Sequence, residues 1–184
     1  MKMLTMYFGW LDIVLVILLA LSLTYCNGSP GVVKPEAKYF ASLDEGFVFS
    51  RPGSPDFIKK MIGLAGREDW GRWSDQDVVI LQFTGPLPKS FLLELQAKGF
   101  GPNVGKATKI VIGKDTHTIQ LASDAQTFTV PIDAAESSNQ IQIIPPAPTS
   151  PNALNPGNPD TRNLGIGLVS IKLKNSPKNT NSNW

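Results

Sequence analysis

Two of the four tryptophans lie three residues apart in a charged segment that a glycine interrupts, Glu68-Asp-Trp70-Gly-Arg72-Trp73. Aromatic rings can stack on the apolar face of a sugar, and the planar guanidinium of Arg72 supplies several hydrogen-bond donors. Glu68 can accept hydrogen bonds from hydroxyl groups. Alternatively, the indoles close a hydrophobic core while Arg72 pairs with Glu68 or Asp69. The segment therefore predicts either a carbohydrate-binding surface or the edge of a core.

Three polar residues further along the chain are candidates for the same surface. Asn103 lies between two predicted strands in Phe-Gly-Pro-Asn-Val-Gly, where it most simply serves a turn, although its side-chain amide can also face a ligand. Asp160 and Arg162 precede the last predicted strand, and side chains two apart in an extended segment point the same way. Asp160 and Arg162 can bind a substrate, but we interpret them as a structural pair that holds the preceding proline-rich loop to the domain.

Composition and charge exclude several classes of function. The formal charge is +2 and the Lys and Arg residues are scattered, whereas nucleic-acid binding depends on many phosphate contacts, so we expect no nucleic-acid partner. Cys26 and His117 are the single cysteine and histidine, so neither an intrachain disulfide nor the usual Cys/His zinc and catalytic sets can be assembled. We therefore predict no catalytic residues, no metal and no cofactor.

The N-terminus carries an apolar segment over residues 3–25 that is long enough to cross a membrane. A helix rises about 1.5 Å per residue, and the hydrocarbon core of a bilayer is roughly 30 Å thick. The favoured interpretation is an uncleaved signal anchor over 1–26; a cleaved signal peptide and a lipoprotein with lipid on Cys26 are the alternatives. We predict a linker over 27–38, a folded domain over 39–175 and a disordered tail over 176–184.

The sequence of the folded part predicts strands with almost no helix between them. A short helix is predicted over 54–63, where Ser54 is a suitable N-cap, Pro55 suits the first turn and Gly63 follows the last. Without crossover helices the sheets must be antiparallel, and alternation gives each strand one buried face. We predict an all-β, two-sheet sandwich, with a jelly roll as first choice. The predicted strands cover 46–50, 77–85, 90–100, 107–113, 117–123, 127–133, 140–146 and 165–175.

Three blocks of the chain carry a family resemblance: GLAGREDWGRWSD, LPKSFLLELQAKGFGPNVGKATKIVIG and IIPPAPTSPNALNPGNPDTRNLGIGLVSIKL. The chain resembles, over about residues 45 to 174, the β-sandwich domain at the C-terminus of bacterial membrane-bound phosphoglycerol transferases and of some membrane glycosyltransferases that build cell-surface glycans. In those enzymes the domain follows a separate metal-dependent catalytic domain, and no part of this chain resembles that domain. The resemblance implies an appended, non-catalytic module in the cell envelope.

Three classes of function stay open on this reasoning. The first is a single-pass protein of the bacterial inner membrane, held through residues 3–25, whose periplasmic domain binds glycan or docks on a membrane glycan transferase. The second is a structural or assembly partner with protein contacts only. The third is a small glycan-acting hydrolase or transferase, for which pairs among Glu45, Glu68, Glu94 and Asp160 would have to converge.

Overall fold

A computed structural model describes residues 37–176 of the chain. The predicted anchor over 1–26, most of the predicted linker and the predicted tail from 177 onward lie outside the described residues. Between 37 and 176, no helix has the length and apolar character needed to cross a membrane. The strands are β1 Lys38–Tyr39, β2 Phe47–Val48, β3 Ser54–Pro55, β4 Ile58–Ile62, β5 Arg72–Trp73, β6 Val79–Phe83, β7 Ser90–Gly99, β8 Ala107–Ile112, β9 Asp115–Gln120, β10 Gln126–Asp133, β11 Gln140–Ile144 and β12 Ile166–Asn175, with a 3₁₀-helix over Gly101–Asn103 and the short helix α1 over Pro151–Leu154.

Two five-stranded antiparallel sheets make up most of the fold. The first sheet has the order β10-β7-β12-β2, with β5 also paired to β12, and the second has the order β4-β6-β11-β8-β9. A short parallel ladder joins β1 to β3. The prediction of an all-β antiparallel sandwich is confirmed, and each of the eight predicted strands overlaps an observed one.

The core is formed by the inward faces of the two sheets. In β7 buried and half-buried residues alternate, so that Leu93 and Leu95 face inward while their neighbours face out. Ile141 and Ile143 of the second sheet are likewise fully buried, as the alternation predicts. Fully burying one such aliphatic side chain contributes about 1.5 to 3 kcal/mol, so this core stabilises the fold without the tryptophans.

The helix predicted over 54–63 is wrong, because this segment forms β3 and β4. The register between β4 and β6 shifts at a bulge, where Ile58 lies opposite Phe83 but Met61 lies opposite Leu81. The extra residue lets Ile58 and Met61 face inward although they are three positions apart. A bulged strand therefore reproduces the apolar spacing of a helix, and pairing with β6 decides the outcome.

Candidate functional site

The candidate site surrounds a gap in the outer face of the first sheet, at Gly167 on β12, which carries no side chain. Trp73 on β5 lies opposite Gly167 on β12, and Gly167 lies opposite Lys98 on β7. A Cβ added at Gly167 would come within 2.7 Å of Trp70 Cη2 and within 2.9 Å of Trp73 Cζ3. Because Gly167 has no side chain, both indoles lie directly against the strand backbone.

An aromatic cluster fills this gap, consisting of Trp70, Trp73 and Phe100 with Lys98 beside them. The Trp70 and Trp73 rings meet edge to face at 5.0 Å between centroids, and Trp73 meets Phe100 in the same way at 5.7 Å. Lys98 Nζ lies 3.7 Å from the centroid of Trp70 and 5.0 Å from that of Trp73, which is a cation–π geometry. Both indoles are half-buried on the outside of the sheet, so they do not belong to the core between the sheets.

A chain of hydrogen bonds fixes one edge of the aromatic cluster. Trp70 Nε1 donates to Glu68 Oε2 at 2.8 Å, and Arg162 Nη1 donates to Glu68 Oε1 at 3.1 Å. Arg162 also holds Asp160 in a bidentate contact, with Nε donating to Oδ1 at 3.0 Å and Nη2 to Oδ2 at 2.7 Å. The side-chain hydrogen bonds from Arg162, and then the bond from its backbone N–H, lower the pKa of Asp160. This network links the proline-rich loop, residues 145–163, to the indole of Trp70.

Two of the predicted ligand-binding residues face the interior. Arg72 is only 9% exposed, and its Nε donates to the carbonyl oxygen of Phe49 at 3.4 Å. Asn103 is fully buried, its Nδ2 donates to the carbonyl oxygens of Phe100 and Ala147 at 2.9 Å each, and its Oδ1 accepts from the Ala147 N–H at 2.9 Å. Both donors of the Asn103 amide and one acceptor site of its oxygen are therefore used within the chain, and two of these three bonds join the 3₁₀-helix to the proline-rich loop.

The structure thus brings Glu68, Trp70 and Trp73 together and adds Arg162 to them. Sequence reasoning missed Lys98 and did not connect Gly167 with the site; these two residues complete the site from two other strands. The alternation along β7 does place Lys98 on the outward face, which was a usable signal. The spacing Gly-Ile-Gly at 165–167 predicts a bulge or a close approach, and the structure has the close approach at Gly167; the bulge in β12 lies further along, between Leu168 and Ser170.

Beyond the aromatic cluster, the same outer face continues as polar rows. The next row contains Ser170 opposite Gln96 and Gln96 opposite Thr127. The row after it contains Lys172, Glu94 and Thr129. Hydroxyl, amide and charged side chains therefore extend along the sheet from the edge of the aromatic rings.

Two of the four candidate carboxylates, Glu45 and Asp160, have pKa values below the ordinary range because hydrogen bonds from Ser42 and Arg162, respectively, stabilise their charged forms. A glycoside hydrolase needs a general acid whose pKa is raised, while Arg162 lowers the pKa of Asp160. Glu94 is ion-paired with Lys174 at 2.7 Å, and Glu45 accepts a hydrogen bond from the Ser42 N–H at 2.7 Å. Over the stretch 37–176, no group of three His, Cys, Asp or Glu side chains could hold a metal ion.

Comparison with known proteins gives a family match over residues 32–175, to the domain of unknown function DUF7024. The chain belongs to this family. Phosphoglycerol transferase I from Salmonella typhi and from Salmonella typhimurium strain LT2 is 35% identical to this chain over 147 residues. The match covers 78% of this chain and 19% of each transferase, so the chain corresponds to a fraction of those relatives. It lies in their C-terminal region, which confirms the resemblance inferred from the sequence.

Among solved structures, two variants of CBM29-2, a family 29 carbohydrate-binding module, align with the DUF7024 domain. Their TM-scores are 0.47 and 0.44 at 12% and 13% identity, and the alignments cover 71% and 66% of this chain and 85% and 84% of the module. Similarity at this level carries no argument about function, so the proposal below depends on the site itself.

Proposed function

We propose that this domain is a non-catalytic, glycan-binding module associated with the modification of cell-surface or periplasmic glycans. The observation that carries the proposal is the aromatic cluster on the outer face of the first sheet, bordered by polar rows. Half-buried indoles offer apolar faces to sugar rings, and adjacent amides, hydroxyls and charged groups offer hydrogen bonds to their hydroxyls. The similarity to phosphoglycerol transferase I supports the connection to glycans.

The finer parts of the proposal rest on the sequence. Residues 3–25 hold the protein in the bacterial inner membrane, the domain lies in the periplasm, and the sandwich follows a jelly-roll path. The ordering of Glu68 and Trp70 by Arg162 favours binding, because the ring is held in place before the ligand arrives. Preorganisation of this kind reduces the entropy lost when a ligand binds.

A second candidate function is docking on a membrane glycan transferase. The supporting observation is that the similar region forms part of the transferase chain itself in the Salmonella relatives. If docking uses a surface other than the aromatic cluster, changes to Trp70 or Trp73 should leave docking intact.

Binding to immobilised glycans tests the main proposal. The purified full chain in detergent should be retained on a polysaccharide matrix, with weak dissociation constants on the order of micromolar to millimolar, since hydroxyl groups exchange water for protein at little net gain. Trp70→Ala should abolish retention; because the half-buried ring also contacts Trp73 and the backbone at Gly167, the melting temperature should fall, but the protein should still unfold in one cooperative transition. Gln142→Ala, on the outer face of the second sheet, is the matched control and should be retained normally. Failure of the wild type to bind any of a panel of cell-envelope glycans would reject the proposal.

A further inference from the structure

Lys98 occupies the ring face that a sugar would use. Its Nζ lies 3.7 Å from the centroid of Trp70, and the bare backbone of Gly167 beside it leaves the ammonium free to lie over the indoles. A cation and a pyranose ring cannot occupy the same face of one indole at the same time. Any glycan that stacks on this face of Trp70 must therefore displace the Lys98 ammonium or form favourable contacts with it.

Lys98 forms no ion pair within residues 37–176. In that stretch, the ion pairs of this outer face join Lys174 to Glu94 and Arg162 to Glu68 and Asp160, and none of them includes Lys98. Its contacts are to the rings of Trp70 and Trp73, which attract the cation but leave N–H groups for another acceptor.

Lys172 is a second cation without an ion pair among the described residues, and it lies on the outward face of β12, the strand next to that of Lys98. Gly167 and Lys172 lie on the same strand. The second positive charge therefore lies in one of the polar rows, further along the sheet from the aromatic cluster. The acidic group in the row of Lys172 is Glu94, which is already paired with Lys174. The polar surface therefore carries two cations, Lys98 and Lys172, that form no ion pair with its carboxylates in the part of the chain that the structure describes.

We propose that Lys98 is a specificity-determining residue that selects glycans carrying a negatively charged substituent, a phosphate ester or a carboxylate. An anionic group accepts charge-assisted hydrogen bonds from the ammonium while the sugar to which it is attached uses the adjoining indole surface. A neutral glycan gains no such bond and must in addition remove Lys98 from the ring. The site therefore discriminates by charge, with Lys172 able to engage a second anionic group. This inference rests on the proposed function, since it concerns the same surface.

The test compares one neutral oligosaccharide with its phosphorylated and carboxymethylated derivatives, titrated against the full chain in detergent. Lys98→Met, which keeps the length of the side chain but removes the charge, should weaken binding of both anionic derivatives about 10-fold or more. The same variant should bind the neutral oligosaccharide about 2- to 5-fold more tightly, because the ring face is uncovered. Lys98→Arg should keep the anionic preference, and its melting temperature checks the fold independently. A difference between the two derivatives identifies which anion the site prefers.

The control is Lys109→Met, which removes an exposed cation from the outer face of the second sheet and should change none of these constants. The anionic preference should also shrink as salt is raised from about 20 mM to about 500 mM, because screening weakens exposed ion pairs. Wild-type protein that binds neutral and anionic oligosaccharides equally, with Lys98→Met unchanged, would overturn this inference and leave glycan binding standing. Absence of binding to all three probes would overturn both.

Discussion

The two sheets share one core but present different outer faces to solvent. The first sheet presents the aromatic cluster, Lys98 and polar rows that hydrogen bonds hold in place. The second sheet presents a row that runs across all five of its strands and contains neither an aromatic nor a charged residue. That row consists of Ile62, Ile80, Gln142, Val111 and Thr116.

The difference has a local cause in the first sheet. A central position of its row is a glycine, Gly167, and the two-residue strand β5 places Trp73 beside it. Both indoles approach the strand backbone at Gly167 because this position carries no side chain. In the row of the second sheet every position carries a side chain, so no gap opens for a ring. Binding is therefore expected at one end of one sheet, while the other sheet contributes mainly to stability.

Removing Trp73 should have the largest effect on this contrast. Trp73→Ala removes contacts with Trp70, Phe100 and Lys98, and we expect it to lower the free energy of unfolding by about 2 to 3 kcal/mol, less than for a fully buried tryptophan. Glycan binding should be lost as well. Ile80→Ala on the second sheet should cost about 1 kcal/mol and leave binding intact. Urea unfolding and titration with glycan measure both quantities; equal loss of binding in the two variants would remove the contrast.

Filling the gap at Gly167 should have the next largest effect. The methyl group of Gly167→Ala would lie within 3 Å of both indoles, so the rings must shift, at a cost of about 1 to 3 kcal/mol. Movement of the rings should change the wavelength of maximum tryptophan emission and weaken glycan binding. Gly66→Ala is the matched control, because a Cβ at Gly66 would meet nothing within 4 Å. Unchanged fluorescence and binding in Gly167→Ala would show that the bare backbone is not required.

A change inside the second sheet should affect stability without affecting binding. The hydroxyl of Thr108 on β8 is fully buried, and it has no hydrogen-bond partner among the described residues. Thr108→Val replaces this unsatisfied group with a methyl group, so we expect the free energy of unfolding to rise by about 1 kcal/mol. Thermal and urea unfolding measure the gain. A loss of more than about 1 kcal/mol would indicate that the hydroxyl has a partner such as a buried water.

The smallest expected effect concerns acid and the contact between Asp160 and Arg162. Because Arg162 lowers the pKa of Asp160 in the folded state, the stabilisation is present above the ordinary pKa of 3.8 and is lost as pH falls through the lowered folded value. Carboxyl NMR signals of Asp160 should therefore titrate below pH 3.8. Asp160→Asn should remove that titration. A midpoint at or above 3.8 in the wild type would contradict the bidentate contact.

The strands were predictable because their signal is local. Alternation of Ile141 and Ile143 with glutamines specifies one buried face, whatever the partner strand. The bulge that makes Ile58 and Met61 face the same side is not visible in the sequence, since it depends on the pairing of β4 with β6. The apolar spacing of this segment therefore predicts a helix, and no sequence pattern indicates the two-residue strand β5.

The candidate site was predictable only where its residues are close in sequence. Glu68, Trp70 and Trp73 lie within six residues, but Lys98 and Gly167 reach them through the pairing of three strands. Arg72 and Trp73 are consecutive in β5, and consecutive side chains in a strand face opposite sides of the sheet. The inward direction of Arg72 is therefore predictable only once β5 is known to be a strand. The burial of Asn103 depends on Ala147, 44 residues away, and no local pattern indicates it.

The most direct test of the account follows the indole N–H signals of Trp70 and Trp73 by NMR while glycan is added to the full chain in micelles. We predict saturable shifts of both indole signals and of the Gln96 amide, with the signals of Gln142 and Val111 unchanged. Saturable shifts confined to the second sheet, or no shift at either indole with a glycan that the protein retains, would contradict the assignment of binding to the first sheet.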